Sequence, residues 1–366
     1  MEGDQIRINK WLTPLSWLYE AGTEGRNALF DAGILKSRSF RIPIINVGNI
    51  TVGGTGKTPH VEYLIRLLSP KYKVAVLSRG YKRKSKGYVL AQPNSTVEEI
   101  GDEPWQIMHS CAPAKVSVCE KRSEGLKRML EESDAPKVVV LDDAYQHRYI
   151  TAGLYILLTD YARPYFRDYV LPAGRLREAR SGAKRADIIV VTKCPGDLSE
   201  TEQQRIRKRL RLLPHQSLFF SKMEYGVLWN PFSEADPLTH GTNVNAPICN
   251  MRTLDALLVC GIAHPEEFVK YFQAQCASVN VLPFPDHHRF TAADISAIAD
   301  RAQDADIIIT TQKDWARLSD YDLPDVIKQK LCVQPIEVKF LHQTENTFNQ
   351  IILDYVTKDS TNSRMD

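Results

Sequence analysis

Short apolar runs alternate with longer segments of helical periodicity along most of the chain. In the N-terminal part, the apolar runs that predict strands are residues 42–47, 74–77, 116–118, 138–141, 154–158 and 188–192. Between them, residues 124–131 and 201–213 are typical of helices, and the second of these segments is rich in arginine and lysine. This alternation predicts an α/β fold with a mostly parallel sheet and helices on both of its faces.

The pattern weakens around residues 225–250, where Asn230-Pro231, Asp236-Pro237 and Gly241 interrupt it. We therefore place a domain hinge in this stretch. Beyond it, predicted strands at 257–260, 279–282 and 307–311 alternate with predicted helices at 265–275 and 292–303. The predicted parts are an N-terminal region (1–35), a first domain (36–225) and a second, smaller α/β domain (226–366) that closes over the ligand of the first. The terminal helix can pack back on the first domain.

The N-terminal region carries a high density of apolar and aromatic side chains, namely Trp11, Leu12, Leu15, Trp17, Leu18 and Tyr19. Thr13 is placed to cap a helix that begins at Pro14. The basic residues that follow are Arg26, Lys36, Arg38 and Arg41. Aromatic rings beside cations suit a membrane–water interface, where the ring bodies are buried and the polar tips stay wet. A helix packed on the domain's own core explains the same residues, and the residues alone slightly favour that alternative.

Composition narrows the classes of protein. With 366 residues, 43% of them hydrophobic and 25% charged, the chain has the composition of a soluble globular protein of two domains. The net charge of +3 is too small to indicate a nucleic-acid partner. The seven cysteines include no C-x-x-C pair, which argues against a zinc site or a disulfide framework and favours a reducing, cytosolic compartment. No apolar run reaches the roughly 20 residues of a membrane-spanning helix, and no secretory signal is visible.

The most specific motif is a glycine-rich turn that follows the first predicted strand and closes on Gly56-Lys57-Thr58. In such a turn, backbone N–H groups surround phosphate oxygens, a lysine ammonium reaches the outer phosphates and a threonine hydroxyl ligates Mg²⁺. The residues predicted to bind the nucleotide are Thr51, Val52, Gly53, Gly54, Thr55, Gly56, Lys57 and Thr58. Thr51 stands where the usual pattern has glycine. The strand–turn–helix context predicts a P-loop NTPase-type sheet that binds a nucleoside triphosphate.

Further candidates for chemistry are acidic residues and one histidine. Asp142 and Asp143 follow an apolar strand, and in P-loop proteins the strand beside the loop delivers an aspartate to Mg²⁺. Carboxylate oxygens suit this hard cation. Asp102 and His287 lie on different predicted domains and could pair when a cleft closes, so that a carboxylate and an imidazole accept the proton of an attacking alcohol.

Six motifs recur together in one known family. They are Gly48-Asn49 with Gly53-Gly-Thr-Gly-Lys-Thr-Pro59, Ser78-Arg-Gly-Tyr81, Gly101-Asp-Glu-Pro104, Asp142-Asp-Ala-Tyr-Gln-His-Arg148, Gly174-Arg-Leu-Arg-Glu178 and Phe284-Pro-Asp-His287. In this set and order the chain resembles the tetraacyldisaccharide 4'-kinase (lipid A 4'-kinase) family over roughly residues 8–320. It departs from the family where Tyr145 replaces a phenylalanine and Ala144 an occasional glycine, and neither change touches a chemical role.

The resemblance implies two α/β/α domains that close over ATP and Mg²⁺. It implies transfer of the γ-phosphate to the 4'-hydroxyl of an acylated glucosamine disaccharide 1-phosphate in lipid A biosynthesis. The location implied is the cytoplasmic face of the inner membrane of a Gram-negative bacterium, with peripheral or monotopic attachment. This implication shifts our interpretation of the N-terminal region toward membrane binding.

The resemblance also assigns roles to residues by motif. Lys57 and Thr58 are implied to bind phosphate and Mg²⁺. Asp142 and Asp143, helped by Glu103, are implied to support the metal and the reacting centre. Asp102 and His287 are implied to accept the proton, and which of them takes it stays open. The residues implied to bind the substrate or its phosphates are Asn49, Arg79, Arg122, His147, Arg177 and Glu178.

Two other classes of protein remain as alternatives. The first is a membrane-associated P-loop switch ATPase of the partitioning type. Residues 53–58 of this chain resemble the P-loop of that class. Those ATPases carry a signature lysine just before the paired glycines, where this chain has Val52, and a simple switch has no need of the second domain. The second is a GTPase, since Thr311-Gln-Lys-Asp314 is faintly similar to a guanine-binding loop but lacks its asparagine.

Overall fold

The computed structural model describes residues 8–111, 113–233, 248–286 and 288–365. Within them the strands are β1 (Ile44–Gly48), β2 (Val74–Ser78), β3 (Val89–Leu90), β4 (Lys115–Val118), β5 (Val138–Asp142), β6 (Leu154–Asp160), β7 (Ile188–Thr192), β8 (Ser217–Tyr225), β9 (Asp255–Cys260), β10 (Ser278–Pro283), β11 (Ile307–Thr311), β12 (Leu331–Gln334) and β13 (Ile336–Phe340). The helices are α1 (Thr13–Asp31), α2 (Lys57–Leu68), α3 (Val97–Ile100), α4 (Asp102–Ser110), α5 (Arg122–Glu131), α6 (Glu200–Leu210), α7 (Glu266–Gln273), α8 (Ala292–Ala302), α9 (Gln312–Leu318), α10 (Asp325–Lys330) and α11 (Glu345–Met365).

The larger sheet has the strand order β13-β8-β7-β6-β1-β5-β2-β4-β3 among the described residues. Its strands are parallel from β8 to β4, while β13 and β3 run antiparallel at the two edges. Every residue of β1, β2, β5 and β7 is buried, as expected for parallel strands that helices cover on both faces. The predicted α/β fold with a mostly parallel sheet is confirmed.

The smaller sheet has the order β10-β9-β11-β12, and its pairs are parallel. After it, the chain returns to the larger sheet through β13, and α11 packs there as well. Phe348, Ile352 and Val356 of α11 are buried in the core of the larger sheet. The Tyr355 hydroxyl accepts a hydrogen bond from the Ile44 N–H (2.9 Å) and donates one to the Ile44 carbonyl (3.1 Å).

The N-terminal helix α1 lies on the larger sheet's side of the molecule with few buried residues, namely Ser16 and Phe30. The prediction that Thr13 caps this helix was wrong. Thr13 lies inside the helix, and its hydroxyl donates to the Lys10 carbonyl (2.7 Å) of a preceding 3₁₀ turn (Lys10–Leu12). In the part of the chain that the structure describes, no helix is both long and apolar enough to cross a membrane.

The two sheets meet where α4 packs against α9. The Trp105 and Trp315 rings form an edge-to-face contact there, with centroids 6.5 Å apart. Beside them, Gln312 donates to the Ser110 hydroxyl (2.9 Å) and accepts from Gln106 (3.4 Å). Since α4 begins at Asp102, this contact sets the position of one end of the candidate site.

Candidate active site

The predicted P-loop connects β1 to α2. Gly56, the last residue before α2, has a left-handed backbone with φ of 78°. This backbone conformation favours glycine, and a Cβ at this position would also lie 2.3 Å from the Met223 methyl group, which would have to move. The Asn49 amide donates to the Thr55 hydroxyl (2.7 Å) and ties the start of the loop to its end. A glycine-rich loop that leads into a helix N-terminus forms an anion-binding site.

Several side chains hold the loop from outside. The Thr192 hydroxyl donates to the Thr55 carbonyl (3.0 Å), and the Lys193 ammonium donates to the Gly54 carbonyl (2.5 Å). His60 contacts the Gly56 carbonyl through Nδ1 at 2.7 Å. Because a carbonyl only accepts, Nδ1 carries the hydrogen. Burial lowers the pKa of His60 to about 4, which keeps the ring neutral. None of these supports was predicted from sequence, because their residues lie in no motif of the loop.

Asp143 lies between two cations directly after β5. Its carboxylate is 3.7 Å from the Lys57 ammonium and accepts hydrogen bonds from the Arg177 guanidinium at 2.8 and 3.2 Å. Burial alone would raise the pKa of Asp143, but Lys57 and Arg177 lower it to about 2. Its φ of 46° is rare for a residue other than glycine. Asp143 is therefore ionised and holds both cations beside the P-loop.

Asp142, the last residue of β5, is fully buried. The Ser78 hydroxyl donates to its Oδ2 (3.0 Å), while its Oδ1 has no hydrogen-bond partner among the described residues. Burial raises the pKa of Asp142 to about 7, and the nearby carboxylates of Glu103 and Asp143 act in the same direction. An unpaired buried oxygen beside two further carboxylates is suited to a divalent cation. Thr58, in the first turn of α2, offers a buried hydroxyl.

Arg177 and Glu178 are adjacent but differ in their contacts. Besides Asp143, the Arg177 guanidinium donates to the Asn49 side chain. Glu178 is buried and accepts two hydrogen bonds from Arg185, at 2.9 and 2.8 Å. Gln146 (2.9 Å) and Asn27 of α1 (3.2 Å) donate to the same carboxylate. The predicted substrate role of Glu178 stays a prediction, and its observed contacts tie α1 to the residues around the site.

Three further residues predicted to bind the substrate interact electrostatically with this centre or with one another. Arg122 is buried and donates to the carbonyls of Cys119 (3.1 Å) and Asp142 (3.4 Å). His147 Nε2 has no hydrogen-bond partner among the described residues. Burial lowers the pKa of His147 to about 4, and the charges of Arg122 and Arg79 add to this effect. Arg79 itself is exposed. The centre thus has a neutral imidazole and two guanidinium groups on one flank.

Asp102 forms a second centre, which the smaller sheet completes. Arg317 of α9 donates to the Asp102 carboxylate from Nε (2.9 Å) and Nη2 (2.7 Å). The same guanidinium donates to the buried Asp314 carboxylate at 3.2 Å. Arg317 was missed in the sequence because it lies 215 positions from Asp102 and belongs to no motif. His287, the predicted partner of Asp102, lies outside the described residues.

The structure therefore brings most of the predicted residues to one edge of the larger sheet. Asp143 contacts both Lys57 and Arg177, and Asn49 contacts Arg177. Asp142 precedes Asp143 in the chain. This arrangement can bind phosphate groups and a divalent cation together. Asp102, at the contact between the sheets, is the candidate for proton transfer.

Comparison with known proteins agrees with this chemistry. The sequence model of a family described as "LpxK: Tetraacyldisaccharide-1-P 4'-kinase" matches residues 8–357. The chain is 46% identical over 370 residues to a tetraacyldisaccharide 4'-kinase of Phocaeicola vulgatus, a match that covers 99% of each chain. It is also 46% identical over 349 residues to one of Flavobacterium johnsoniae, which covers 95% of this chain and 97% of the relative.

A solved structure is similar over almost the whole fold. It is a crystal structure of LpxK from Aquifex aeolicus in complex with ATP, 29% identical in sequence, with a TM-score of 0.72. The match covers 94% of this chain and 98% of that one. These comparisons support the kinase interpretation and not the partitioning-type switch ATPase.

Proposed function

The chain belongs to the tetraacyldisaccharide 4'-kinase family, and from that premise we propose how its residues carry out the reaction. The protein is an ATP-dependent kinase of lipid A biosynthesis. It transfers the γ-phosphate of ATP to the 4'-hydroxyl of a tetraacyldisaccharide 1-phosphate. The observation that supports this proposal most directly is that Lys57 and Arg177 both contact Asp143 beside the P-loop.

The nucleotide end is proposed to work by positioning and charge. Residues 51–58 and the N-terminus of α2 bind the triphosphate, with Lys57 at its outer phosphates. Arg177 faces the charge that develops on the transferred phosphoryl group. Asp143 holds the Lys57 and Arg177 side chains in place before the nucleotide binds. Little reorganisation of these cations is therefore needed during the reaction.

The residues that would hold Mg²⁺ are Thr58, Asp142 and Asp143, with Glu103 beside them. The fit rests on the buried Asp142 Oδ1, which no described residue satisfies. These residues would hold Mg²⁺, which would supply charge neutralisation at the phosphate oxygens. Lys57 and Arg177 supply the remaining positive charge from the protein.

The acceptor end is proposed to remove the proton of the 4'-hydroxyl. Asp102 and His287 would share this task, and Arg317 holds the Asp102 carboxylate in place. Since Arg317 lies on the smaller sheet's side, this end is complete only when both α/β units (36–225 and 226–366) are packed together. Arg79, Arg122 and His147 are proposed to bind the phosphorylated disaccharide, while Asn49 and Glu178 act through their contacts with Arg177 and Gln146.

We also propose that the N-terminal region lies on the cytoplasmic face of the inner membrane, since the relatives come from Gram-negative bacteria. The support is the exposure of its apolar side chains: Trp11 is 94% exposed, Leu18 73% and Trp17 65%. Exposed basic residues follow at Lys36 and Arg38. Such a surface suits an interfacial helix that meets acylated substrate at the membrane.

The proposed reaction is tested with the purified full chain in detergent, γ-labelled ATP, Mg²⁺ and the disaccharide 1-phosphate. We expect labelled phosphate on the 4'-oxygen of the product, located by NMR. ATP hydrolysis without transfer to the disaccharide, by enzyme that circular dichroism shows to be folded, would contradict the assignment.

The membrane proposal needs point substitutions rather than truncation, because α1 also contacts Glu178. Replacing Trp11, Trp17 and Leu18 with serine should abolish flotation with vesicles that contain anionic lipid. The matched control is Val227→Ser, which removes an exposed apolar side chain far along the chain from α1. Equal flotation of the triple variant and the control would contradict the proposal.

A further inference from the structure

The loop between residues 168 and 177, here called the arginine loop, carries Arg177 to the P-loop. Two backbone hydrogen bonds join the loops: Val52 N–H to the Arg175 carbonyl (2.7 Å) and Arg177 N–H to the Ile50 carbonyl (2.8 Å). An isolated β-bridge pairs Thr51 with Leu176 between these bonds. The backbone on both sides of Leu176 is therefore fixed against the P-loop, and this fixes where the Arg177 side chain starts.

Asp168 closes the arginine loop from inside. Its side chain is 1% exposed, and its Oδ1 accepts the N–H groups of Tyr169 (2.8 Å) and Arg175 (3.2 Å). Arg163 donates to both carboxylate oxygens, from Nε at 2.6 Å and from Nη2 at 3.0 Å. One carboxylate thus joins the two ends of the loop, and its ion pair with Arg163 anchors it to the preceding segment.

The surroundings of Asp168 show that this closure is tight. Arg180 donates twice to the Asp168 carbonyl, at 3.1 and 2.7 Å. A Cβ on Gly174 would lie 2.5 Å from Asp168 Oδ1 and 2.2 Å from the Tyr169 carbonyl, so the loop closes only around a glycine. Burial alone would raise the pKa of Asp168, but Arg163 and the two amides outweigh burial and lower it.

Helix α1 closes the loop from its outer side. The Ser16 hydroxyl donates to the Val170 carbonyl (2.9 Å) and accepts from the Ala173 N–H (2.9 Å). The Tyr19 hydroxyl donates to the Arg177 carbonyl at 3.2 Å. The arginine loop is therefore held between a buried carboxylate, the P-loop and α1, which leaves it little freedom to move independently.

We propose that Asp168 is a positioning residue of the kinase: by joining the two ends of the arginine loop, its carboxylate places Arg177 against Asp143 and the transferred phosphate. This inference rests on the proposed function, in which Arg177 stabilises the reacting phosphoryl group. Asp168 touches neither Arg177's guanidinium nor Asp143, so it acts only through the backbone that it holds.

A double-mutant cycle between Asp168→Asn and Arg177→Ala tests the proposal. Asparagine keeps the shape of the side chain and removes its charge. We expect Asp168→Asn alone to lower kcat by about tenfold or more, since small displacements of positioning groups have effects of this size. In the Arg177→Ala background the same substitution should change kcat by less than about twofold, because the group it positions is gone.

The matched control is Asp187→Asn. Asp187 also accepts a backbone N–H, from Tyr155 at 2.7 Å, in the same α/β unit but away from the P-loop. It should leave kcat unchanged in both backgrounds. An equal loss of kcat from Asp168→Asn in both backgrounds would overturn the proposal, and so would an unchanged kcat in the single variant.

A replacement variant and the activity of the wild type separate a folding defect, a failure of the proposed function and a failure of the role proposed for Asp168. If Asp168→Asn fails to fold by circular dichroism, Arg163→Gln takes its place in the cycle, since it removes the same ion pair from the opposite partner. A wild-type chain that transfers no phosphate would count against the proposed function. An active wild-type chain with additive losses counts against Asp168 alone.

Discussion

The nucleotide end and the acceptor end of the site are built differently. The nucleotide end, with Lys57, Asp143 and Arg177, lies on loops beside the larger sheet and on the first residue of α2, and the contacts among these residues stay within that part of the molecule. The acceptor end needs both units, because Asp102 begins α4 beside the larger sheet while Arg317 belongs to α9, which follows β11 of the smaller sheet. Binding of the donor and activation of the acceptor should therefore respond separately to substitution.

The difference has a physical use. We expect a preformed nucleotide end to bind ATP without domain movement, and we expect the acceptor end, whose contact joins both units, to depend on how they pack. Substitutions at each end and at their junction can break or sharpen this distinction.

The largest effect is expected from Lys57→Ala. Its ammonium is one of two cations on Asp143 and the proposed contact to the outer phosphates. We expect kcat to fall by about 100-fold, the scale for loss of one transition-state donor, together with a clear loss of ATP affinity. Initial rates at several ATP concentrations measure both quantities. Lys184→Ala, which removes an exposed lysine of the same unit, is the control. A normal KM for ATP in Lys57→Ala would show that the nucleotide end has been misplaced.

A smaller effect, confined to one parameter, is expected from Arg317→Lys. Lysine keeps the charge but loses the two-pronged contact with Asp102, so the carboxylate is held less firmly. We expect kcat to fall by about tenfold, with the dissociation constant for ATP unchanged. Steady-state kinetics and nucleotide titration measure the two. A matched change in Arg301→Lys, on α8 of the smaller sheet, should have no effect. Weakened ATP binding in Arg317→Lys would mean that the two ends are not separate.

The last effect is on stability rather than on rate and concerns the junction, where Glu62 of α2 accepts a hydrogen bond from Gln106 of α4 (2.9 Å). Burial raises the pKa of Glu62 to about 7, against the pull of Arg66 and Gln106. The native carboxyl keeps a proton that the unfolded chain releases near pH 4.5, so its contribution to stability is present at low pH and is lost as pH rises toward about 7. The free energy of unfolding of Glu62→Gln, relative to wild type, should therefore be higher at pH 8 than at pH 5, by up to roughly 3 kcal/mol.

Thermal unfolding of Glu62→Gln and wild type at the two pH values measures this difference. Glu131→Gln changes an exposed carboxylate on α5 and should show the same difference from wild type at both values. A Glu62→Gln difference that is independent of pH would show that Glu62 is ionised in the native junction.

Much of the fold was predictable because buried parallel strands are continuous apolar runs. β7 and β11 have the predicted bounds to the residue. β8 was missed because Ser221, Lys222 and Glu224 interrupt its apolar residues, and β12 and β13 are short strands around a proline. Part of the predicted hinge at 225–250 lies outside the described residues, which resume at 248, and the domain boundaries stay a prediction.

The residues of the candidate site also fall into those that sequence motifs predicted and those that only the folded structure identifies. Local motifs predicted Lys57, Thr58 and the two aspartates, since strand, turn and chemistry are adjacent in sequence there. Arg317 and Asp168 could not be found, because their roles come from contacts with residues or backbone that only folding brings near them. The roles of all these residues in the reaction stay predictions until they are measured.

The most direct test of two separable ends is calorimetric titration of Mg²⁺–ATP into the wild type, Lys57→Ala and Arg317→Lys, each checked for folding. We expect wild type and Arg317→Lys to bind with the same dissociation constant, and Lys57→Ala to bind at least tenfold more weakly. Equal weakening in the two variants, or unchanged binding in Lys57→Ala, would contradict the account.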